Sequence, residues 1–167
     1  MRYRLDVVAP DVVDVVRHAG GWLVDRAMAG WDVTVLTYGD ADIRPLQILG
    51  VNALRFEDVV RSWRERPAPQ TVAVAADLYD RDPRVRAGVR MAVQHGRTEV
   101  TLWGGDWPAE LADGTAVQHQ LSAAARAFKA QALAAVRAGA GPVGDTETFR
   151  CGAMLCPPVA ADLVPAG

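Results

Sequence analysis

The spacing of apolar positions switches repeatedly along the chain between a period of two and one of about 3.6 residues. Tyr3 to Val8 reads as a strand that stops at Pro10-Asp11. Asp11 is placed to cap a helix, with Asp14 three residues on. Val12, Val16, Ala19, Leu23 and Ala27 then recur at helical spacing, which predicts a helix ending near Gly30. Gly20-Gly21 inside it costs about 1–2 kcal/mol of helix propensity, and close packing of the helix on a sheet is the expected compensation. Asp32 to Thr37 (DVTVLT) is β-branched, apolar and bounded by glycines, so it predicts a second strand.

The same alternation continues. A short helix is predicted over Ile43 to Leu49, and Val51 to Leu54 is a short strand candidate. Phe56, Val59, Val60 and Trp63 share one helical face. Thr71 to Ala76 reads as a buried strand, Asp82-Pro83 opens a helix in the favoured cap-then-proline order, and Gly96 ends it. Glu99 to Trp103 (EVTLW) is the fifth strand candidate. Thr115, with Gln118 three residues later, fits a capping box, and predicts a long helix through Val117, Leu121, Ala124, Phe128, Leu133 and Val136. Residues 140–167 are rich in Gly, Pro and Ala and keep no period.

Strands alternating with helices argue for a parallel sheet covered on both faces. The expected fold is therefore a three-layer, doubly wound α/β domain over residues 1–139. Its sheet is mainly parallel, with about five strands in Rossmann-like or flavodoxin-like order, and an irregular C-terminal tail covers 140–167. The stretch from Ala19-Gly20-Gly21-Trp22 through Gly30-Trp31 to Asp32–Thr37 resembles the first helix and second strand of the amino-terminal lobe in two-lobed glycosyltransferases. That resemblance covers residues 19–37 only and implies no functional residue.

Composition narrows the function. Half the residues are hydrophobic and 23% are charged, with 20 acids against 18 bases, for a formal net charge of -2. No basic excess or stripe points to nucleic acid. Lys129 is the only lysine among the bases, a bias that reads as the codon usage of a GC-rich bacterium. No run approaches the roughly 20 apolar residues of a membrane span, and no secretory signal is visible, so a cytoplasmic location is expected. Cys151 and Cys156 have no second pair to complete a zinc site and read as reduced, structurally unimportant thiols.

In sheets of this kind ligands bind beyond the carboxyl ends of the strands. The residues predicted there are Tyr38 and Asp40 after the second strand; Asp77, Tyr79 and Asp80 after the fourth; and Gly104, Gly105, Asp106 and Trp107 after the fifth. Asp11, Asp42 and Asp82 precede predicted helices and read as caps. Carboxylates with aromatics beside them suit a cation or a hydroxyl-rich ligand such as a sugar.

Other chemistries lack their residues. The turn after the first strand is A-P-D, so the dinucleotide fingerprint is missing. No P-loop and no Ser/Thr-rich flavin-phosphate loop are present either. The serines, Ser62 and Ser122, fall in predicted helices, and no nucleophile elbow exists. His18, His95 and His119 also fall in predicted helices. The reading these features favour is a non-catalytic interaction or assembly module, a homo-oligomer or protein partner being held through the apolar tail residues Phe149, Met154, Leu155, Val159, Leu163 and Val164. One alternative is a small metal-assisted enzyme acting on a sugar or phosphoester through the strand-end carboxylates. The other is a small-ligand sensor.

Overall fold

The runs rich in Val, Thr, Leu and Ala in the first two thirds of the chain form parallel strands that are mostly buried on both faces, with the short, exposed third strand at the edge. In the computed structural model, which describes residues 2–111, 114–136, 142–152 and 162–166, these are β1 (Arg4–Ala9), β2 (Asp32–Thr37), β3 (Asn52–Arg55), β4 (Thr71–Ala75) and β5 (Glu99–Trp103). They lie side by side in the order β3-β2-β1-β4-β5, with Val7 of β1 between Val35 and Ala73. The connecting helices are α1 (Val12–Met28), α2 (Arg44–Leu49), α3 (Phe56–Val60), α4 (Ala76–Arg81) and α5 (Pro83–His95).

The expectation of a mainly parallel five-stranded sheet is corrected by the remaining elements. Thr115–Gln120 is a strand, β6, and the helix after it, α6, spans Ala123–Ala135. The supposed tail supplies β7 (Thr146–Cys151) and β8 (Val164–Pro165). Together they extend the sheet to eight strands of mixed direction, in the order β3-β2-β1-β4-β5-β7-β6-β8, and every pair involving β6, β7 or β8 is antiparallel. The capping-box reading of Thr115 fails because the segment alternates with period two, burying Val117 and His119. The cap of α6 is Ser122, whose hydroxyl accepts from the amide of Ala125 at 3.0 Å. The tail reading fails at Phe149 and Leu163, which are buried in the chain's own core, the Phe149 ring tilted against that of Trp22 with centroids 4.9 Å apart. Met154, Leu155, Cys156 and Val159 lie outside the described residues.

Right-handed crossovers place α1 and α5 on opposite faces, since β1 leads outward to β2 and β4 leads the other way to β5. α1 packs with α2 and α6. α3 and α5 lie over the face that carries Asp6, Val8, Val72 and Val74. Trp63 falls beyond α3, in a 3-10 turn, and its ring rests against Gly88 of α5.

The glycine pair in α1 has a specific cause. A Cβ on Gly21 would lie 2.2 Å from Leu121 Cδ2, so the gap is filled by the residue ahead of α6, not by the sheet. Beside it, Glu147 of β7 accepts from the amides of Gly21 (3.0 Å) and Trp22 (2.6 Å) and from Lys129 Nζ (2.7 Å). Lys129 Nζ also donates to the carbonyl of Arg17, 2.8 Å away. In a regular helix that carbonyl pairs with the amide of Gly21. The buried Lys129–Glu147 pair therefore engages both ends of one helical hydrogen-bond position and pins β7 and α6 to the middle of α1.

No helix among the described residues is long and apolar enough to cross a membrane.

Candidate functional site

The carboxyl ends of β2, β1, β4 and β5 form one edge of the sheet, and the strand order reverses direction between β1 and β4. At that point Pro10-Asp11 turns the chain into α1. Asp11 is extended and its Oδ1 accepts from the amide of Asp14 at 2.8 Å, so the residue caps the helix. Asp14 is thereby set on the first turn with its carboxylate facing the end of β5. The indole Nε1 of Trp103, the last residue of that buried strand, donates to Asp14 Oδ2 at 2.9 Å. One turn further along α1, His18 Nε2 stands 3.6 Å from Asp14 Oδ1. The histidine side chain is 41% exposed and the carboxylate 29%. The result is a carboxylate–imidazole pair, fixed from one side by a buried indole and open to solvent on the other.

A second polar group closes the edge beside it. Tyr38, just past β2, stacks on Phe56 at 4.8 Å, and its hydroxyl donates to Asp82 Oδ2 at 2.6 Å. Asp82 caps α5 through the amide of Arg84 and pairs with that guanidinium at 2.9 Å. Arg84 also reaches both carboxylate oxygens of Glu57. Hydrogen bonding by Arg84 holds the Asp82 carboxyl well below the usual range, while burial and then the Asp82 bond push the Tyr38 hydroxyl well above its own. This network ties the end of β2 to the start of α5 across the end of β1.

The residues expected at the edge fare unequally. Tyr38 is built into the Asp82 network. Asp40 is 89% exposed and pairs with Arg55 at 3.3 Å. Asp77, Tyr79 and Asp80 follow β4 directly, on α4. There Asp77 pairs with Arg81 at 2.8 Å, Asp80 is exposed, and Tyr79 is buried with its hydroxyl on Glu110. Glu110 is lowered by that bond and by Arg90, and the Tyr79 hydroxyl is raised, first by burial. Gly104 has φ +77, and a Cβ on Gly105 would lie 2.9 Å from that of Ala76, so both serve the turn after β5. Asp106 is exposed, and half-buried Trp107 covers Gly114 and Gly152. Of the caps, Asp42 accepts from the amide of Arg44 at 3.0 Å, as Asp11 and Asp82 do for their helices.

The pair that the sequence reading missed is Asp14 with His18. Its signal was the spacing D-x-x-D-x-x-x-H, which sets the second acid and the histidine on one face of α1. A different Asp–His–Ser group lies away from this edge. Asp25 accepts from Ser122 Oγ (2.5 Å) and lies 2.7 Å from His119 Nε2. His119 Nδ1 faces the carbonyl of Asp162, whose carboxylate binds buried Arg26. There the serine bonds aspartate, not histidine, and is engaged as a cap. Among the described residues no three His, Cys, Asp or Glu side chains come together to hold a metal ion.

The chain matches no family model and no curated protein. Its fold is shared with solved structures. A deacetylase triple mutant of the teicoplanin biosynthetic pathway superposes with a TM-score of 0.61 at 17% identity, over 98% of this chain and 98% of that one. A deacetylase–teicoplanin complex gives 0.61 at 18% identity, over 89% and 97%. The 4-carboxy-2-hydroxymuconate hydratase of Pseudomonas putida gives 0.56 at 14% identity, over 90% and 95%. At these identities the likeness is one of fold. It replaces the Rossmann-like assignment by the deacetylase fold. These structures, which match over about nine tenths or more of both chains, are deacetylases and a hydratase, and this runs against the expectation of a non-catalytic module.

Proposed function

We propose that the chain is a small hydrolytic enzyme acting at the carboxyl edge of its sheet, with Asp14 and His18 as the pair that activates water. The observation that carries this reading is the Asp14 carboxylate, held by the Trp103 indole and facing the accessible imidazole of His18. Deacetylation and hydration both add water to an electrophilic carbon, so one water-activating base serves either chemistry. With Nε2 directed at Asp14, the Nδ1 of His18 is the atom that takes the proton. Water oxygen bonds to the acyl carbon, the carbon–nitrogen bond breaks, the proton passes to the leaving amine, and a carboxylate and an amine are released. Asp14 holds the imidazolium charge meanwhile. The acids and aromatics along the edge, Asp106 and Trp107 among them, suit an acylated, hydroxyl-rich substrate such as an N-acetylated sugar. The described donors do not converge on a metal, and no step here runs through one.

The test is acetate release from N-acetylglucosamine and from an aryl acetate. Asp14→Asn and His18→Gln each lower kcat/KM by about 10²-fold or more, while Asp77→Asn, which loses only its Arg81 pair, keeps full activity. Equal rates for all four proteins, or no turnover of either compound, overturn the reading.

A further inference from the structure

Away from the strand-end edge, the sheet face beneath α3 and α5 holds a cavity of about 450 Å³. Its floor is Val8, Val72 and Val74, and its roof is Val59 and Val89. Trp63 forms one wall, and that wall exists because Gly88 lacks a side chain: a Cβ there would lie 2.9 Å from the Trp63 ring. A glycine inside α5 weakens the helix, so the sequence gives up helix stability where the ring must lie. The volume falls within the range of small-molecule sites. It admits a chain of methylenes but not a helix about 10–12 Å across.

The two ends differ. At the carboxyl side Arg84 and Phe56 close it, and Arg84 is committed to Asp82 and Glu57. At the amino side the lining includes Arg64, Arg66 and Arg97. Asp6 lines this end, 3.5 Å from Arg4 and 3.8 Å from Arg66, and burial outweighs both cations and raises its carboxyl, which favours the neutral form. Arg64 and Arg97 are exposed and have no ion-pair or hydrogen-bond partner among the described residues. An apolar chamber with two uncommitted guanidiniums at its mouth matches a molecule with an apolar body and one anionic end.

We propose that this cavity binds a monocarboxylate of the medium-chain fatty-acid class, its tail between β1, β4 and α5 and its carboxylate at Arg64 and Arg97. Neither Asp14 nor His18 lines the cavity, so the site is separate from the hydrolytic edge and stands without it.

The probe is decanoate, titrated calorimetrically into the full chain, with decanol and inorganic phosphate as comparisons. Decanoate binds one to one, and decanol and phosphate each bind at least tenfold more weakly. The surface double variant Arg64→Glu/Arg97→Glu weakens decanoate at least tenfold. Val89→Phe, which fills the chamber, abolishes binding while acetate release by the edge site is unchanged. The proposal is overturned by any of four results: no saturable heat with decanoate, decanol binding as tightly, unchanged affinity in the double variant, or a dimer in solution that closes the mouth and excludes decanoate.

Discussion

Gly20 and Gly21 are adjacent in α1, yet replacing each by alanine has opposite consequences. A Cβ on Gly20 meets Lys129 Cγ and Val16 Cγ1 at 3.5 Å and Leu49 Cδ1 at 3.7 Å, all ordinary contacts. Gly20→Ala therefore keeps the gain in helix propensity, about 0.5–1 kcal/mol. A Cβ on Gly21 lies 2.2 Å from Leu121 Cδ2 and 2.5 Å from its Cγ. Leu121 is buried between strand and helix and has little room to withdraw. Overpacking of this kind costs about 1–3 kcal/mol, which exceeds the propensity gain, so Gly21→Ala is net destabilising by about 1–2 kcal/mol. For a chain of this size each kcal/mol moves Tm by roughly 2–4 °C. Urea unfolding of both variants gives the sign. The pair Gly21→Ala/Leu121→Ala then tests the cause, because removing the Leu121 side chain eliminates the clash and the two effects become strongly non-additive. If Gly21→Ala stabilises as Gly20→Ala does, the close approach of Leu121 to α1 is refuted.

Two further measurements follow from buried groups. Lys129→Met leaves Glu147 charged, 4% exposed and without its cation. The variant loses about 3–5 kcal/mol in urea unfolding, and adding Glu147→Gln, which removes the stranded charge, restores a large part of it. Cys151 is buried against the Thr101 hydroxyl, and burial pushes its thiol up to about 11. The folded state holds that proton more tightly than the unfolded chain, whose thiol titrates near about 8.5. The stabilisation is therefore complete below that pH and disappears as pH rises through about 11. In a Cys156→Ser background, Cys151 reacts with a thiol reagent at pH 8 only on unfolding, and the alkaline loss of stability is absent from Cys151→Ala.

The sequence is legible where one kind of energy dominates. β1, β2, β4 and β5 are rich in β-branched and apolar residues because both their faces are largely buried, and such runs declare themselves. β7 does not, because its inward positions are Glu147, Phe149 and Cys151. A glutamate at a core position breaks the apolar alternation, and its partner, Lys129, lies on a helix elsewhere in the chain. β6 is hidden in the same way by His119, which is buried only because Asp25 and the Asp162 carbonyl receive it. The site is legible as an edge, since alternation alone determines where strand ends gather. That Asp14 faces the end of β5 is not legible, because the Asp14–Trp103 bond depends on how far α1 and β5 each run before they meet. The helical turn that carries Tyr79 is not legible either, because α4 is a six-residue helix with only Ala76, Leu78 and Tyr79 buried.

The order of strands in the sheet differs from their order of synthesis. β6 is bonded only to β7 and β8, both made after it, and β7 sits between β5 and β6. A nascent chain that has reached residue 140 thus carries three strand edges that the finished sheet pairs, one on β5 and both on β6; Thr146–Cys151 closes two of them, and the last waits for Val164–Pro165. The Glu147 contacts that secure the centre of α1 also arrive only with Thr146–Cys151. The amino-terminal strands can thus pair before the Glu147 lock on α1 exists, and in that interval the open edges of β5 and β6 are where the chain is exposed to wrong pairing.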